Sequence, residues 1–369
     1  MKTIPFFAYA DLFRRDEPAL AEVMLGVCRR GAYIMQQDLF QFEANLARYL
    51  GVKHVIGVAD GTVALMMGLR AAGVVPGDEV IVPSHTFVAS AAAIHHVGAV
   101  PVLADCGPDH LLDAASVERK VTSKTRAIMP VQLNGRTADM DGIVLLAKRH
   151  GLQIVEDSAQ ALGSKFKGRF AGTFGLAGTC SFYPSKTLGC FGDGGAVFTN
   201  DDAAAEYMRL LRDHGRASTG DVIAWGYNSR LDNLQAAVLD YKLARYDHEI
   251  ARRRTIASIY DMRLGKLEQL VLPPGPDADP DHFDIYQNYE IEADQRDALR
   301  SYLDDHGVKT IIQWGGKTIH QFAKLGLNSD VPMTEELTRR FCLLPMNTSL
   351  TDDDVSYICD QVEAFCRIA

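Results

Sequence analysis

The sequence predicts an α/β fold with a mostly parallel sheet covered by helices. Short apolar segments typical of buried strands alternate with helical patterns through residues 54–200, and this alternation is the signature of strand–helix–strand units. The chain has 369 residues, of which 47% are hydrophobic and 23% are charged. A chain of this length and composition can bury the cores of two or three structural units.

A linker divides the chain. Residues 272–281, LPPGPDADPD, are rich in Pro, Gly and Asp, a composition that favours turns over regular structure. We place the domain boundary before this linker, so that residues 1–250 form a large domain and residues 251–369 form a smaller α+β domain. The N-terminal segment, residues 1–30, is a candidate to pack on the small domain.

The individual elements follow from hydrophobic periodicity and from turn residues. In the first half of the chain we predict helices at 16–30, 39–50, 63–73, 87–96 and 139–150, and strands at 54–59, 79–82, 100–104, 125–135, 152–155 and 180–183. After a helix that starts near Asp201, the polar loop 226–230 precedes one long helix. The C-terminal part reads as strand 286–291, helix 296–306 and strand 308–313.

Composition argues against several function classes. The net charge is -9 and the basic residues are scattered, which disfavours a nucleic-acid partner. No apolar run reaches the roughly 20 residues of a membrane helix, and the charged N-terminus does not resemble a secretory signal, so we expect a cytoplasmic protein. The seven cysteines show no C-x-x-C spacing and predict neither a zinc site nor a disulfide framework.

A carboxylate and a lysine follow two of the predicted strands. Asp157 comes at the end of strand 152–155, and Lys186 lies on a turn of small residues after strand 180–183 and Pro184. Ligands of open α/β sheets bind at the carboxyl ends of strands, where these side chains can converge. A lysine can form a Schiff base with pyridoxal phosphate, whose ring nitrogen requires a carboxylate. The alternative for Lys186 is a solvated loop lysine, and the alternative for Asp157 is the N-cap of a helix.

Other strand ends carry candidate ligand contacts. Gly61 and Thr62 begin a helix, where backbone N–H groups and a hydroxyl favour a phosphate; the alternative for Thr62 is a simple helix cap. Phe87 opens another helix and could stack on a flat cofactor or belong to the core. Asn228 and Arg230, in the polar loop, could contact a ligand or a neighbouring subunit, or be solvated.

Six segments occur in a consistent order along essentially the whole chain: DGTVAL at Asp60, PSHTFVAS at Pro83, LNGRTADMD at Leu133, VEDSAQALGSKFKGR at Val155, SFYPSKTLGCFGDGGAVFTND at Ser181 and GYNSRLDNLQAAVL at Gly226. Together they resemble the DegT/StrS family of sugar aminotransferases, which are pyridoxal-phosphate enzymes. The resemblance implies an aspartate-aminotransferase-like, type I fold, with a large domain built on a mostly parallel mixed sheet and a smaller C-terminal α+β domain.

The resemblance also implies roles for individual residues around pyridoxal 5′-phosphate. Lys186 would form the Schiff base and shuttle the proton. Asp157 would hold the pyridine nitrogen protonated, and Gln160 would hydrogen-bond the ring hydroxyl.

Phosphate and ring contacts are implied as well. Gly61, Thr62 and Ser181 would bind the phosphate, and Phe87 would stack on the ring. Asn228 would reach the phosphate of the cofactor held by a partner subunit, which implies a homodimer with two shared active sites.

The C-terminal segments depart from the family pattern. IIQWGGKTIHQ keeps only His320 of the usual residues, and LPMNT at 344–348 replaces a sequence like LPMHP. In the family these segments flank the substrate pocket. Trp314 and His320, together with Arg230, are candidate substrate contacts; for Trp314 and His320 a packing role is the alternative.

The sequence therefore predicts a transaminase that passes an amino group from L-glutamate to the 3- or 4-keto carbon of a nucleotide-linked deoxysugar. The product would supply lipopolysaccharide O-antigen, another cell-surface polysaccharide or a glycosylated natural product. Two alternatives stay open: an aminotransferase of a cyclitol ketone, and a non-catalytic regulator that binds the cofactor or a sugar. A deoxysugar dehydratase is disfavoured because such relatives carry His in place of the lysine.

Overall fold

A computed structural model describes residues 2–368. Within this range the chain forms twelve α-helices and thirteen strands in three sheets. None of the helices in the described part has the length and apolar character needed to span a membrane.

The strands are mostly short, with two to five residues each. They are β1 (His54–Val58), β2 (Glu79–Pro83), β3 (Val100–Ala104), β4 (Thr125–Ile128), β5 (Gln153–Asp157), β6 (Lys165–Phe166), β7 (Arg169–Phe170), β8 (Ala177–Ser181), β9 (Gly195–Thr199), β10 (Leu270–Val271), β11 (His282–Phe283), β12 (Tyr289–Ala293) and β13 (Phe341–Leu344).

The helices connect and cover the strands. They are α1 (Tyr9–Arg30), α2 (Gln37–Leu50), α3 (Gly61–Ala71), α4 (Val88–His96), α5 (Ala114–Lys120), α6 (Met140–His150), α7 (Asp202–Arg212), α8 (Asn233–Leu243), α9 (Tyr246–Leu264), α10 (Arg296–Asp305), α11 (Pro332–Arg340) and α12 (Asp352–Ile368).

The central sheet has seven strands in the order β1-β9-β8-β5-β4-β2-β3. Neighbours from β8 to β3 are parallel, and β9 alone runs against its neighbours β1 and β8. The predicted α/β fold with a mostly parallel sheet is confirmed. In this topology the carboxyl ends of six strands lie at one edge of the sheet, where polar residues of their connections can meet.

Local sequence explains why these elements form where they do. In α2, Leu39, Phe42, Leu46 and Leu50 are buried on one face, which is the stripe expected of an amphipathic helix. The helix ends at Gly51 with a left-handed φ of 66°, the backbone conformation that glycine adopts without steric cost.

A second core lies in the C-terminal part of the chain. The antiparallel strands β10, β12 and β13 form a three-stranded sheet, and α9, α10 and α12 contribute buried apolar residues against it. Ile4 belongs to the same core, and its backbone N–H donates to the Gly307 carbonyl at 2.8 Å. The strands β6, β7 and β11 form a separate small antiparallel sheet.

Several predicted elements differ from the structure. The strand predicted at 125–135 ends at Ile128, the strand predicted at 180–183 is β8, and β9 was not predicted. The long helix after the polar loop is two helices, α8 and α9, which are separated at residues 244–245. The strand predicted at 286–291 is β12, which starts at Tyr289 because Tyr286 has a left-handed φ of 51°. Residues 308–313 make only isolated bridges to Ile4 and Leu343, since these residues do not pair with the β12–β13 sheet along their length.

Candidate active site

A cavity of about 560 Å³ lies at the carboxyl edge of the central sheet. The connections that follow β1, β2, β5 and β8 form one wall of this cavity, and residues 287–288 and 311–314 of the C-terminal part form the other. Phe6 and Phe7 of the N-terminal segment also line it. A concave, mostly apolar site with a few convergent polar groups is the usual form of a small-molecule site.

Lys186 lies on the turn after β8 and lines the cavity. The sheet strand ends at Ser181, earlier than predicted, and the Lys186 N–H donates to the Tyr183 carbonyl at 2.8 Å. Burial disfavours the ammonium form and lowers the pKa of Lys186 to about 8, although the nearby Asp157 opposes the shift. A lysine with a pKa near neutrality has an appreciable fraction of the nucleophilic free amine.

Gln287 holds the lysine turn from the opposite wall. Its side-chain carbonyl accepts the Thr187 N–H at 2.7 Å, and its Nε2 donates to the Ser185 carbonyl at 2.8 Å. The two bonds fall on either side of Lys186 and come from a buried side chain. Gln287 thus restricts the turn that carries the lysine, and the sequence analysis did not single it out.

Asp157 ends β5 and lies buried in the cavity wall. Its Oδ2 accepts a hydrogen bond of 2.7 Å from the Ser90 hydroxyl, and its Oδ1 accepts one of 3.1 Å from the Ala159 N–H. Ser90 is oriented in turn by Thr86, whose Oγ1 lies 3.0 Å from the Ser90 Oγ. These bonds fix the carboxylate, and sequence reasoning missed the contribution of Ser90.

The start of α3 forms a cradle for an anion. Asp60 caps the helix by accepting the Val63 N–H at 2.9 Å, while the N–H groups of Gly61 and Thr62 donate to no acceptor in the described chain. A Cβ added at Gly61 would lie 3.0 Å from the Ser181 Cβ. The absent side chain therefore leaves the free N–H groups accessible at the positive end of the helix dipole.

Gly195 explains how the cradle can be this close to the sheet. It pairs with both Val58 and Ser181, and a Cβ there would lie 2.5 Å from the Asp60 carbonyl carbon. Any larger residue would push the start of α3 away from Ser181.

An aromatic ring and an amide complete this wall. Phe87 is the N-cap residue of α4 and its side chain is 53% exposed, so the ring is available to a ligand in the cavity it lines. Gln160 accepts the Asn134 N–H at 2.9 Å through its Oε1. Its Nε2 has no partner in the described chain and can donate to a ligand.

Three predicted site residues lie elsewhere in this chain. Asn228 is exposed outside the cavity, and Arg230 donates to its side chain and forms an ion pair of 2.8 Å with Asp213. His320 packs beside Ser84, whose Oγ lies 2.8 Å from its Nδ1, and it does not line the cavity. The expectation of a substrate contact is therefore not met within one chain for Arg230 or His320. Trp314 does line the cavity.

A cluster of polar side chains lies behind the cavity wall that the C-terminal part of the chain forms. His85, His110 and Glu290 bring three potential metal ligands within 4.8 Å of one another. The Glu290 oxygens already face four N–H or imidazole donors, from His85, His110, Asn134 and Gln313, at 2.8 to 3.3 Å. Hydrogen bonds thus use the oxygens of the Glu290 carboxylate. The spacing of residues in the sequence could not have indicated this cluster, because its members are far apart in the chain.

The arrangement fits pyridoxal phosphate. A half-buried lysine with a lowered pKa, a fixed carboxylate, unused helix N–H groups for a phosphate and an exposed aromatic ring line one cavity. This is the set of groups that a Schiff-base cofactor with a ring nitrogen and a phosphate requires.

The family model for the DegT/DnrJ/EryC1/StrS aminotransferase family matches residues 15–363. The chain belongs to this family. It is accordingly an aminotransferase, and its cofactor is pyridoxal 5′-phosphate.

Similar proteins extend over the whole chain. A dTDP-3-amino-3,4,6-trideoxy-alpha-D-glucose transaminase from Streptomyces venezuelae is 40% identical over 373 residues, covering 99% of this chain and 96% of the relative. A protein named pleiotropic regulatory protein from Geobacillus stearothermophilus is 37% identical over 370 residues, covering 99% of each.

A solved structure is similar in the same way. The crystal structure of S. venezuelae DesV in complex with a ketimine intermediate superposes with a TM-score of 0.95, at 38% identity and 99% coverage of both chains. Similarity of this extent confirms the predicted type I aminotransferase fold.

Proposed function

We propose that this aminotransferase moves an amino group from L-glutamate to the 3- or 4-keto carbon of a nucleotide-linked deoxysugar. The observation that carries the proposal is the cavity in which Lys186, Asp157 and the start of α3 converge. Whole-length similarity to a transaminase named for a 3-amino dTDP-sugar supports this substrate class, and it favours the 3-keto carbon.

Lys186 is the proposed catalytic residue. When bound, pyridoxal phosphate supplies an electron sink for the carbanion that forms as a proton leaves the amino-bearing carbon. The Lys186 Nζ would hold the cofactor by its carbonyl carbon, and the free amine would carry a proton between the two reacting carbon atoms. The lowered pKa of Lys186 suits it to both accepting and returning a proton near neutral pH.

Asp157 would keep a proton on the ring nitrogen, and Ser90 orients its carboxylate. Gln160 would donate to the ring hydroxyl oxygen, Phe87 would cover one face of the ring, and Gly61, Thr62 and Ser181 would bind the phosphate. The walls around these groups limit water access to the reacting carbon.

The active unit is proposed to be a homodimer. Val222, Ile223 and Trp225 are exposed on the loop between α7 and α8, and Trp225 is 91% exposed. An apolar patch of this kind marks an interaction surface. Asn228 follows it closely, which supports a contact of Asn228 with the phosphate held by the partner, and Arg230 would lie at the same interface.

The domain division and cellular role are proposed on sequence grounds. Residues 1–250 would form the cofactor-binding domain and residues 251–369 the small domain, with α9 (Tyr246–Leu264) crossing the boundary. We place the enzyme in the cytoplasm, where activated sugars for O-antigen or other glycosylated products are made.

One observation favours a second function. The relative named pleiotropic regulatory protein matches the entire chain, in line with a regulator that binds the cofactor or a sugar. Such a protein has no need of a reactive lysine, so the two functions differ in what happens at Lys186. The cyclitol alternative is tested by assaying keto sugars and free cyclitol ketones side by side. Turnover with a cyclitol ketone alone would show that the substrate is a cyclitol and not a nucleotide-linked sugar.

Substitution of the lysine tests the proposed chemistry. Lys186→Ala should keep the native far-ultraviolet circular dichroism but lose the visible absorption of the bound cofactor and all detectable amino transfer. Among the described residues that line the cavity, Lys186 carries the one side-chain amine. Lys167→Ala, at an exposed lysine paired with Asp141, should retain both. Ordinary turnover by Lys186→Ala would refute the assignment.

A further inference from the structure

Three amide side chains of the cavity wall are linked to one buried carboxylate. Asn134 lies at the centre of this network. Its Nδ2 donates to Glu290 Oε1 at 3.0 Å, and its Oδ1 accepts from Asn288 Nδ2 at 2.9 Å and from Gln313 Nε2 at 2.8 Å. Asn288 Nδ2 also lies 3.3 Å from Gln160 Oε1. Gln160, Asn288 and Gln313 all line the cavity.

Glu290 is the end of the network that does not face the cavity. It lies on β12 and is buried. Burial opposes its charge, but His85 and His110 reverse this effect and lower the pKa of Glu290 well below its usual range. His110 bridges Glu290 and Glu292, and although its own burial acts in the opposite direction, hydrogen bonds to the two carboxylates raise the pKa of His110 to about 10.

An ionised carboxylate can only accept hydrogen bonds. Both amides that touch Glu290, those of Asn134 and Gln313, must therefore turn their NH₂ groups toward it. The Asn134 oxygen is then left for Asn288, which must turn its own NH₂ group inward. The NH₂ group of Asn288 faces the side-chain oxygen of Gln160. The Asn134 backbone N–H donates to the same oxygen, so both contacts require the same orientation of the Gln160 amide.

This chain of constraints leaves three polar atoms unused. In the described residues, Gln160 Nε2, Asn288 Oδ1 and Gln313 Oε1 have no protein partner. We infer that Glu290 is a positioning residue that sets the hydrogen-bond polarity of the cavity wall, so that the wall presents one donor at Gln160 and two acceptors at Asn288 and Gln313.

The arrangement of one donor and two acceptors on the cavity wall determines which ligand groups can bind at each position. The Gln160 donor suits the ring hydroxyl oxygen of the cofactor. The two carbonyl oxygens suit hydroxyl or ammonium donors, which a sugar and an amino donor both carry, and they disfavour a carboxylate at this place. This inference rests on the proposed function, because it assumes that pyridoxal phosphate occupies the cavity.

The substitution Glu290→Gln tests the inference. A carboxamide at residue 290 can donate as well as accept, so the Asn134 amide can turn over and present its NH₂ group to Asn288. Asn288 would then turn its oxygen toward Asn134 and Gln160. Repulsion between the Asn288 and Gln160 oxygens would weaken the orientation in which Gln160 donates to the ligand. A donor at the ring oxygen stabilises negative charge there and lowers the pKa of the Lys186–cofactor nitrogen. Loss of one such hydrogen bond should raise the pH midpoint of the cofactor's visible absorption band by about one unit and weaken cofactor binding about tenfold.

A control and a second variant separate the possible outcomes. Glu292→Gln also alters a carboxylate that contacts His110 but touches none of the amides, so its midpoint should stay at the wild-type value. If Glu290→Gln does not fold, Asn288→Ala decides. It removes one of the two donors that hold the Gln160 oxygen away from the ligand, and it should shift the midpoint in the same direction by a smaller amount.

Two negative results have different meanings. A wild-type protein that develops no visible band with pyridoxal phosphate refutes the proposed function. A normal wild-type band, with midpoints and affinities unchanged in folded Glu290→Gln or in Asn288→Ala, overturns the inference about Glu290 alone.

Discussion

At the scale of residues, the chemistry depends on how the fold treats Lys186. Gln287 holds the turn that carries this side chain through the backbone of Ser185 and Thr187, and the side chain itself is half-buried in the cavity wall. Desolvation disfavours the charged form of an amine, and the carboxylate of Asp157 compensates for only part of this cost. The fold thereby favours the free amine at Lys186, which is the form that the proposed role requires.

The pH dependence of cofactor capture tests this preparation. The free amine reacts and the ammonium does not, so a lysine with a pKa of about 8 should give a capture rate that rises about tenfold per pH unit below pH 8 and levels off above it. Stopped-flow absorbance with apoenzyme and pyridoxal phosphate measures this rate. A rate that still rises tenfold between pH 8.5 and 9.5 would indicate an ordinary lysine with its usual value of 10.5.

Sequence reasoning found the residues whose position along the chain determines their role. Lys186, Asp157 and Gly61 each follow a strand, and parallel strands deliver their ends to one edge, so their convergence was predictable. Ser90, Gln287 and Glu290 act through contacts with residues distant in sequence, and no local pattern indicates such contacts. His320, a predicted substrate contact, packs against Ser84 and does not line the cavity of the single chain, and a motif alone does not fix the path of the loop around it.

At the scale of elements, the loop between α7 and α8 carries Trp225, which is the most exposed large hydrophobic residue in the described part of the chain. Isolated bridges pair Asp213 with Asn228 and Arg216 with Val222, so the loop is held as a hairpin-like projection. Its apolar side chains face solvent in a single chain, which costs free energy that burial against a second copy would recover.

Substitution of the most exposed residue on this loop tests the dimer. Trp225→Ala should weaken self-association about thirtyfold, because buried tryptophans at interfaces commonly contribute about 2 kcal/mol. Sedimentation equilibrium measures the dissociation constant. Met262→Ala, on α9 and 69% exposed, is the matched control and should not change it. A wild-type protein that stays monomeric, or equal constants for both variants, would argue against this interface.

Strands β1, β2 and β3 were predicted to within one residue, whereas β4 ends at Ile128 and not at the predicted residue 135, and β9 was not predicted. Strands such as β2 and β3 are buried apolar runs with clear turn residues on both sides. The hydrophobic pattern and the flanking turn residues therefore predict the same bounds. Residues 308–313 have the same apolar character, but Trp314 and Gly315 adopt left-handed φ values of 52° and 69° and turn the chain into the cavity wall. Local propensity contains no information about that turn.

At the scale of the whole molecule, the active site lies where two cores meet. The sheet edge supplies the lysine, the carboxylate and the anion cradle, and the C-terminal part supplies Gln287 and Trp314. Both parts contribute side chains to the amide network. The N-terminal segment closes the cavity with Phe6 and Phe7 and also joins the C-terminal core through Ile4. The site is therefore complete only when the full chain is folded, apart from any residues that a partner adds.

The most direct test of the central claim is an absorption spectrum of the purified protein with pyridoxal phosphate, recorded before and after the addition of L-glutamate. We predict a band near the visible edge that bleaches as a near-ultraviolet band appears, because the amino group passes to the cofactor. The Lys186→Ala variant should lack the first band. A protein that never develops the band would contradict the account of Lys186, and a band that glutamate leaves unchanged while another amine bleaches it would contradict the proposed donor.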